Sequence, residues 1–535
     1  MKIEFVGGAR TVTGSSYIIK DEDFTIMVDC GMFQGRQELQ QRNQLHLIYA
    51  PSKIDCMLLT HAHIDHSGLI PKLVKSGFFG NIYTTKATVD LCNIMLPDSA
   101  HIQELDAKQI NKRNKKLGRP EVEPLYTVDD AMKSLENFVP VNYGEIIQIH
   151  PRVEVRFRDA GHILGSAFIE MWVAEKGKKT KIVFSGDVGT RDQSIIKDPE
   201  PLDEADILLV ESTYGNRLHK NKTDTYEEFK KILLESINKN GNIIIPAFAV
   251  ERTQEIIYTL NNLFKNKEIP MIPVYIDSPL AISATEIFRS NHQCFDEDMQ
   301  KLLMSGDNPL DFPNLNFTKT ADESKLLSQE KKGCIIISAS GMCNAGRIKF
   351  HLQNNLYKSE SSIIFVGYQA EGTLGRRLVD GAKQVRIYGE DIAVNATIHT
   401  LGGFSAHADE NGLHNWIKTN KNPKTKIFVV HGEEQSAEHF ARHLIKEFGY
   451  SAYAPHWGEI IDLDTMHSEY ASYGQAVEDR FVPVDKQIES LTSTINILME
   501  KYSKAKKENR LSSIKRLQDD INDAKEMLSM IIDEL

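Results

Sequence analysis

Long apolar runs are missing from this sequence. None approaches the ~20 consecutive residues that a membrane helix needs, and the opening MKIEFVGGAR reads as a strand and not as a secretory leader. No membrane partner is expected. Cysteine is sparse: Cys30, Cys56, Cys92, Cys294, Cys334 and Cys343 are scattered and form no CxxC pair. That spacing argues against a disulfide framework or a thiolate metal site. It favours reduced core thiols in a cytoplasmic protein. Positive charge is in deficit, with 63 Lys and Arg against 74 Asp and Glu, for a net charge of −11. The balance argues against a chain coated in nucleic acid and leaves one local basic groove open. What remains, 41% hydrophobic and 26% charged residues, is the composition of a soluble globular protein. At 535 residues the chain exceeds one ordinary core, so two or more domains are expected.

The first part alternates β-rich runs with turns: KIEFVGG, SSYIIK, FTIMVDCG, CMLLTHAH and NIYTT. A polar helical stretch follows from about Leu91 to Glu136 and carries the basic run NKRNKK. Strands return with VEVRFRDAGH, SAFIEMWVA, KIVFSGDVG and DILLVESTYG. After Tyr214 the texture changes. GNIIIPAF, IPVYIDSP, GCIIISASGM and SIIFVGYQAEG each lead through a small-residue loop, most of them into a helical pattern. Strand, loop and helix in repetition indicate a second, parallel α/β domain. ATIHTLGGFSAHAD and KIFVVHGEE then resume the first texture, as if the chain returned to complete its first domain. The expected organisation is a first domain over 1–211, an inserted domain over 212–395, a completing segment over 396–465 and a helical hairpin over 485–535. Ile488, Leu491, Ile495, Leu498 and Tyr502, then Leu511, Ile514, Leu517, Ile521 and Leu528, give the hairpin its apolar stripes. The hairpin either packs on its own body or forms a homodimer coiled coil.

The densest chemistry lies in LLTHAHIDHSG, Leu58 to Gly68. Alternation sends His61 and His63 to one side of the chain, toward one metal. Asp65 and His66 come round the turn, toward a second. Three imidazoles and a carboxylate on one tight, partly buried loop are hard to satisfy without a cation. Other β runs also end in ligand-type groups: His162, Asp187 and His431. Ligands of α/β sheets gather at the carboxyl ends of strands. Zinc suits imidazole and carboxylate donors, and a carboxylate bridging two metals is the arrangement used for phosphodiester hydrolysis.

Asp29 in VDCG, the His61-x-His63-x-Asp65-His66 run, His162 and Asp187 resemble the four motifs of the metallo-β-lactamase superfamily. Glu211 in ESTYG, His407 in FSAHAD and His431 in VVHGE resemble motifs A, B and C of its β-CASP nuclease branch. The resemblance covers roughly residues 1–465. It is strongest to the bacterial and archaeal relatives of the endonuclease subunit of cleavage and polyadenylation specificity factor. It implies an αββα sandwich split by an inserted β-CASP domain, and two Zn²⁺ per chain. His61, His63 and His162 would hold one zinc, Asp65, His66 and His431 the other, and Asp187 would bridge them. Asp29 would support a ligand histidine from behind. Asp65 and Asp187 would share in catalysis, a hydroxide between the metals would attack phosphorus, and Glu211 would orient His407 to protonate the leaving oxygen. The sequence departs from the archaeal pattern in opening on the first strand, where those relatives carry RNA-binding KH domains, and in its C-terminal hairpin.

The inserted domain offers candidate phosphate binders. SASGMCNAGR contains Ser338, Gly341 and Arg347, and GYQAEGTLGRR contains Gly372, Arg376 and Arg377. Free backbone N–H groups and nearby guanidinium groups favour anions there. Ser405, two residues before His407, is a further candidate. The expected activity is zinc-dependent cleavage of single-stranded RNA, internally or from the 5′ end. The alternatives are a DNA nuclease of the same branch and a catalytically dead RNA-binding scaffold. His431 favours RNA, because DNA-processing members of the branch typically carry Val at that motif.

Overall fold

The computed structural model describes residues 1–470, apart from 46–48, 176, 331–332 and 371, together with isolated helical positions between 492 and 525. Contacts divide the chain into Met1–Ser468 and Glu469–Leu535. Apart from those isolated positions, the hairpin expected over 485–535, and the dimer reading with it, falls outside the described residues.

Two mixed sheets form the centre of the first unit. One runs Glu459–Asp462, Lys2–Gly7, Ser16–Lys20, Thr25–Val28, Cys56–Leu58, Asn81–Thr85 and Phe138–Val141. The other runs Ser451–Tyr453, Lys426–Val430, Ile207–Glu211, Lys178–Phe184, Ala167–Glu175, Val153–Asp159 and Ile146–His150. Their inner faces meet through Ile3, Phe5, Ile26, Val28 and Leu58 on one side. Phe157, Ile169, Ile182, Leu209 and Phe428 face them from the other. The alternate residues Val183, Leu208, Val210 and Val429 point outward. There they pack under Trp416, Phe440 and Leu444 of helices Glu410–Ile417 and Glu434–Phe448. Burial on both faces explains why ILLV and KIFVV read as unbroken apolar runs and not as alternating ones.

The inserted domain is a six-stranded parallel sheet in the order Leu315–Phe317, Val274–Ile276, Ile335–Ser338, Ile243–Pro246, Ser362–Phe365 and Thr397–Thr400. The four repeated apolar runs are four of its strands. Each leads to a helix: Arg252–Lys265, Pro279–Ser290, Ile348–Asn355 or Leu374–Val379. Thr397–Thr400 pairs with Ser362–Phe365, so the chain returns to its first domain after this strand and not at 395/396. The expected boundary fell short because TIHT carries too few apolar residues to read as a sheet edge.

Helix Lys86–Leu117 of the first domain packs against Pro279–Ser290 of the insertion. Leu91, Met95 and Phe288 share one core there, and Asn291 Nδ2 donates to Asp90 at 3.0 Å. All six cysteines are buried.

Candidate metal centre

Strands Lys178–Phe184, Ile207–Glu211 and Lys426–Val430 lie side by side and parallel. They release Asp187, Glu211 and His431 at one edge of the second sheet. The loop after Val153–Asp159 brings His162 to the same edge. From the first sheet, the chain leaving Cys56–Leu58 supplies His61 and His63, and the short turn Ile64–Ser67 supplies Asp65 and His66. Two glycines allow this convergence. A Cβ on Gly189 would sit 1.6 Å from the carbonyl oxygen of Gly161, where the Asp187 and His162 loops touch. A Cβ on Gly31 would sit 1.7 Å from the carbonyl oxygen of Asp65. A side chain at either position would force the ligand loops apart.

The donors fall into two groups around Asp187. His61, His63, His162 and Asp187 place ligand atoms within 4.8 Å of one another, and so do Asp65, His66 and His431. Asp187 faces both. Its Oδ2 lies 3.4 Å from His61 Nε2 and 3.5 Å from His162 Nε2. Its Oδ1 lies 3.3 Å from His66 Nε2 and 3.5 Å from His431 Nε2. His63 Nδ1 is 3.2 Å from both His61 Nε2 and His162 Nε2. That separation matches the ~3.3 Å edge of a tetrahedron with zinc–nitrogen bonds of ~2.0 Å. Among the described residues, His66 Nε2 and Asp187 Oδ1 are buried with no hydrogen-bond partner, the condition a cation would relieve. The donor set therefore fits a metal.

The far sides of two of the imidazoles, His66 and His431, are held. Asp29 Oδ2 lies 2.8 Å from His66 Nδ1. Asp29 itself accepts from the Thr60 amide at 2.8 Å and the Thr60 hydroxyl at 2.9 Å. Ser15 Oγ lies 2.6 Å from His431 Nδ1. These contacts leave Nε2 of His66 and His431 for the cluster. Sequence reasoning missed Ser15 and left Thr60 without this role, because a lone hydroxyl in a turn carries no motif. Burial pushes the His63 and His162 imidazoles well below their ordinary pKa, which keeps them neutral as ligation requires. Burial opposes ionisation of Asp187, but His431, His66 and His407 around it hold its pKa well below the usual carboxylate range.

His407 sits beside both groups without joining either. Its Nδ1 is 3.2 Å from each oxygen of Glu211 and 3.9 Å from Asp187 Oδ2. Glu211 is buried and accepts from the Val188 amide at 2.7 Å. Burial works against protonation of His407, but the charges of Glu211 and Asp187 outweigh it and raise the pKa to about 9.

The candidate phosphate binders divide. Ser338 is buried and donates to the Asp277 carbonyl at 2.7 Å. Arg347 spends its guanidinium on the Asp277 carboxylate at 2.7 Å and on the carbonyls of Thr318 and Lys319. Both make these bonds within the inserted domain. Asp277, whose buried carboxylate Arg347 meets, has no motif to announce it. Gly341 packs on Phe248. Gly372 turns the chain at φ +80° into helix Leu374–Val379, where Arg376 Nε donates to Asp380 at 2.9 Å. Ser405 is buried two residues from His407. The inserted domain does reach the centre elsewhere. Glu251 accepts from the Leu164 amide at 3.2 Å, and the Tyr368 hydroxyl donates to Glu433 at 3.2 Å.

Comparison with known proteins agrees with this architecture. Residues 9–144 match the metallo-β-lactamase superfamily, residues 253–378 the β-CASP domain, and residues 391–455 the Zn-dependent metallo-hydrolase RNA specificity domain. The chain is 35% identical to Ribonuclease TTHA0252 of Thermus thermophilus, over 81% of this chain and 94% of that one. It is 31% identical to an RNase J-like protein of Methanocaldococcus jannaschii, over 86% and 99% of the two chains. It is 28% identical to Transcription termination factor FttA of the same organism, over 85% of this chain and 70% of the relative. A crystal structure of a protein of unknown function from Enterococcus faecalis V583 shares the fold, with a TM-score of 0.50 at 15% identity, covering 86% of this chain and 99% of that one. With the donor clusters and these matches together, the chain belongs to the β-CASP branch of the metallo-β-lactamase superfamily, a family of metal-dependent hydrolases.

Proposed function

We propose that this protein is a zinc-dependent ribonuclease that hydrolyses RNA phosphodiesters with two cations held about Asp187. The observation that carries this reading is the division of the Asp187 carboxylate, with one oxygen toward His61 and His162 and the other toward His66 and His431. His61, His63 and His162 would hold one zinc, and Asp65, His66 and His431 the other. Bound there, the pair would polarise the phosphate and activate water.

The remaining chemistry falls to the chain's own groups. Cleavage expels an alkoxide, which needs a proton. His407, with its Nδ1 against Glu211, presents Nε2 as the donor, and the Glu211 charge beside it favours the protonated ring. Glu211 stabilises the imidazolium and fixes the ring, since its own oxygen is anchored by the Val188 amide. RNA is favoured as substrate by the match to the RNA specificity domain and by the names of the relatives. His431 at the second donor group points the same way.

The test is incubation of purified full-length protein and Zn²⁺ with RNA labelled separately at either end, beside DNA of the same sequence at matched salt. Zinc-dependent cleavage of RNA well above DNA is expected. The product ladder separates internal cleavage from 5′ trimming. Equal or faster cleavage of DNA overturns the RNA assignment, and no zinc-dependent cleavage overturns the enzyme reading.

A further inference from the structure

A second cluster of ligand-type side chains lies outside this centre, on the outer face of the second sheet. Glu410 and His414 are four residues apart on helix Glu410–Ile417. His439 and His443 are four residues apart on helix Glu434–Phe448. Residues at this spacing share one helix face, and here the two faces meet. Glu410 Oε1 lies 3.1 Å from His439 Nε2 and 3.6 Å from His443 Nδ1. Glu410, His414 and His443 offer ligand atoms all within 4.8 Å of one another. The His414 and His443 rings lie 4.4 Å apart.

His414 is the telling member. It is 5% exposed, wedged between His443, Phe440 and Phe448, and its Nε2 is buried with no hydrogen-bond partner among the described residues. A buried imidazole set among apolar rings without a partner is rare in a finished core. Two facing pairs at four-residue spacing, contributing three imidazoles and a carboxylate, make a donor set that suits a borderline divalent transition metal. We propose that Glu410, His414, His439 and His443 form a third metal site, separate from the centre around Asp187, that takes Zn²⁺.

Its position gives it a structural task. Helix Glu410–Ile417 begins three residues after His407, and Glu434–Phe448 begins three residues after His431. A cation between them clasps together the two helices that follow the proton donor and the last ligand of the centre. The site is separate from the proton chemistry, since none of its four residues touches Asp187 or Glu211 in the contacts described.

The full-length protein is stripped with a chelator, reloaded with Zn²⁺ and desalted, and its zinc is counted by plasma emission spectrometry. The double variant His439→Ala/His443→Ala removes two partly exposed side chains. It should hold one zinc fewer per chain than the wild type and lose part of the zinc-dependent rise in Tm. In an Asp187→Ala background, the same double change should still remove one further equivalent. Glu410→Gln, which keeps the shape and removes the charge, should weaken the tightest peripheral equivalent at least tenfold in competition with a chromogenic chelator. Equal zinc content in the double variant and the wild type, or unchanged affinity in Glu410→Gln, overturns the site.

Discussion

Glu211→Gln tests the proton-donor assignment most directly. Both oxygens of Glu211 lie 3.2 Å from His407 Nδ1, and one of them also accepts from the Val188 amide. Glutamine keeps the size and one acceptor, so the ring should stay in place while the charge is lost. Burial alone would lower the His407 pKa; Glu211 first, then Asp187, bring it to about 9. Asp187 remains 3.9 Å away in the variant, so the fall toward the ordinary value of ~6.5 should be partial, with the full drop as its ceiling. That ceiling corresponds to roughly 3 kcal/mol at 1.36 kcal/mol per unit. The sign follows from which form acts. The protonated imidazole is the donor, so a lower pKa removes activity from the alkaline side. At about pH 8.5, half of the ceiling leaves ~5-fold less protonated His407 and the whole of it ~80-fold less, while near pH 6 the loss stays under ~2-fold. The assay is a pH–rate profile of RNA cleavage at saturating zinc, with metal content measured on each sample. An alkaline limb that stays in place while the rate falls equally at every pH would refute the reasoning. So would loss of zinc, since it would make Glu211 part of the metal shell.

Other substitutions separate the remaining roles. Asp187→Ala should abolish detectable cleavage, a loss of at least ~10³-fold, and strip zinc, while RNA binding measured by filter retention persists; retained activity in a folded variant would remove Asp187 from the centre. His407→Ala should slow RNA cleavage by ~10²–10⁴-fold with zinc content unchanged, and the loss should shrink on bis(p-nitrophenyl) phosphate, whose leaving group needs no proton. Arg347→Ala should cost roughly 3 kcal/mol of stability in thermal or urea unfolding, because it takes a partner from the buried Asp277 carboxylate; unchanged stability with weakened RNA affinity would restore Arg347 as a phosphate binder.

Much of the centre was legible because its residues sit at strand ends inside apolar runs. CMLLTHAHIDH announces a strand and a ligand turn together, and KIVFSGD and KIFVVH each end in one donor. The order of strands in the sheet, which places Asp187, Glu211 and His431 side by side, is not written in any of these runs. It depends on pairing between segments more than two hundred residues apart. The partners made by the glycine loops of the inserted domain were hidden for a related reason. Gly–Arg after a strand reads as an anion site when the arginine is taken to face solvent. Here Arg347 turns inward, because Asp277, at the end of a neighbouring strand, is a buried charge that must be balanced. Nothing near Arg347 in the sequence names Asp277. Glu410 and His414 escaped notice in the same way: their four-residue spacing becomes chemistry only opposite His439 and His443.

The backbone at the centre fixes the positions of its donors. Asp29 and His431 are both non-glycine residues at positive φ, +58° and +45°, a conformation that costs each of them on the order of 1–3 kcal/mol. Each is held there by specific bonds. The Asp29 amide donates to Leu58 at 2.9 Å, and its carboxylate takes two bonds from Thr60 and meets His66. The His431 amide donates to Gly8 at 2.6 Å, and Ser15 holds its Nδ1. Gly8 and Ser15 flank the turn between the first two strands, so the first sheet fixes a ligand that the second sheet carries. That coupling also accounts for the late return of the chain. Residues 426–430 could not place His431 against Asp65 and His66 unless the segment after the insertion re-entered the second sheet beside Ile207–Glu211.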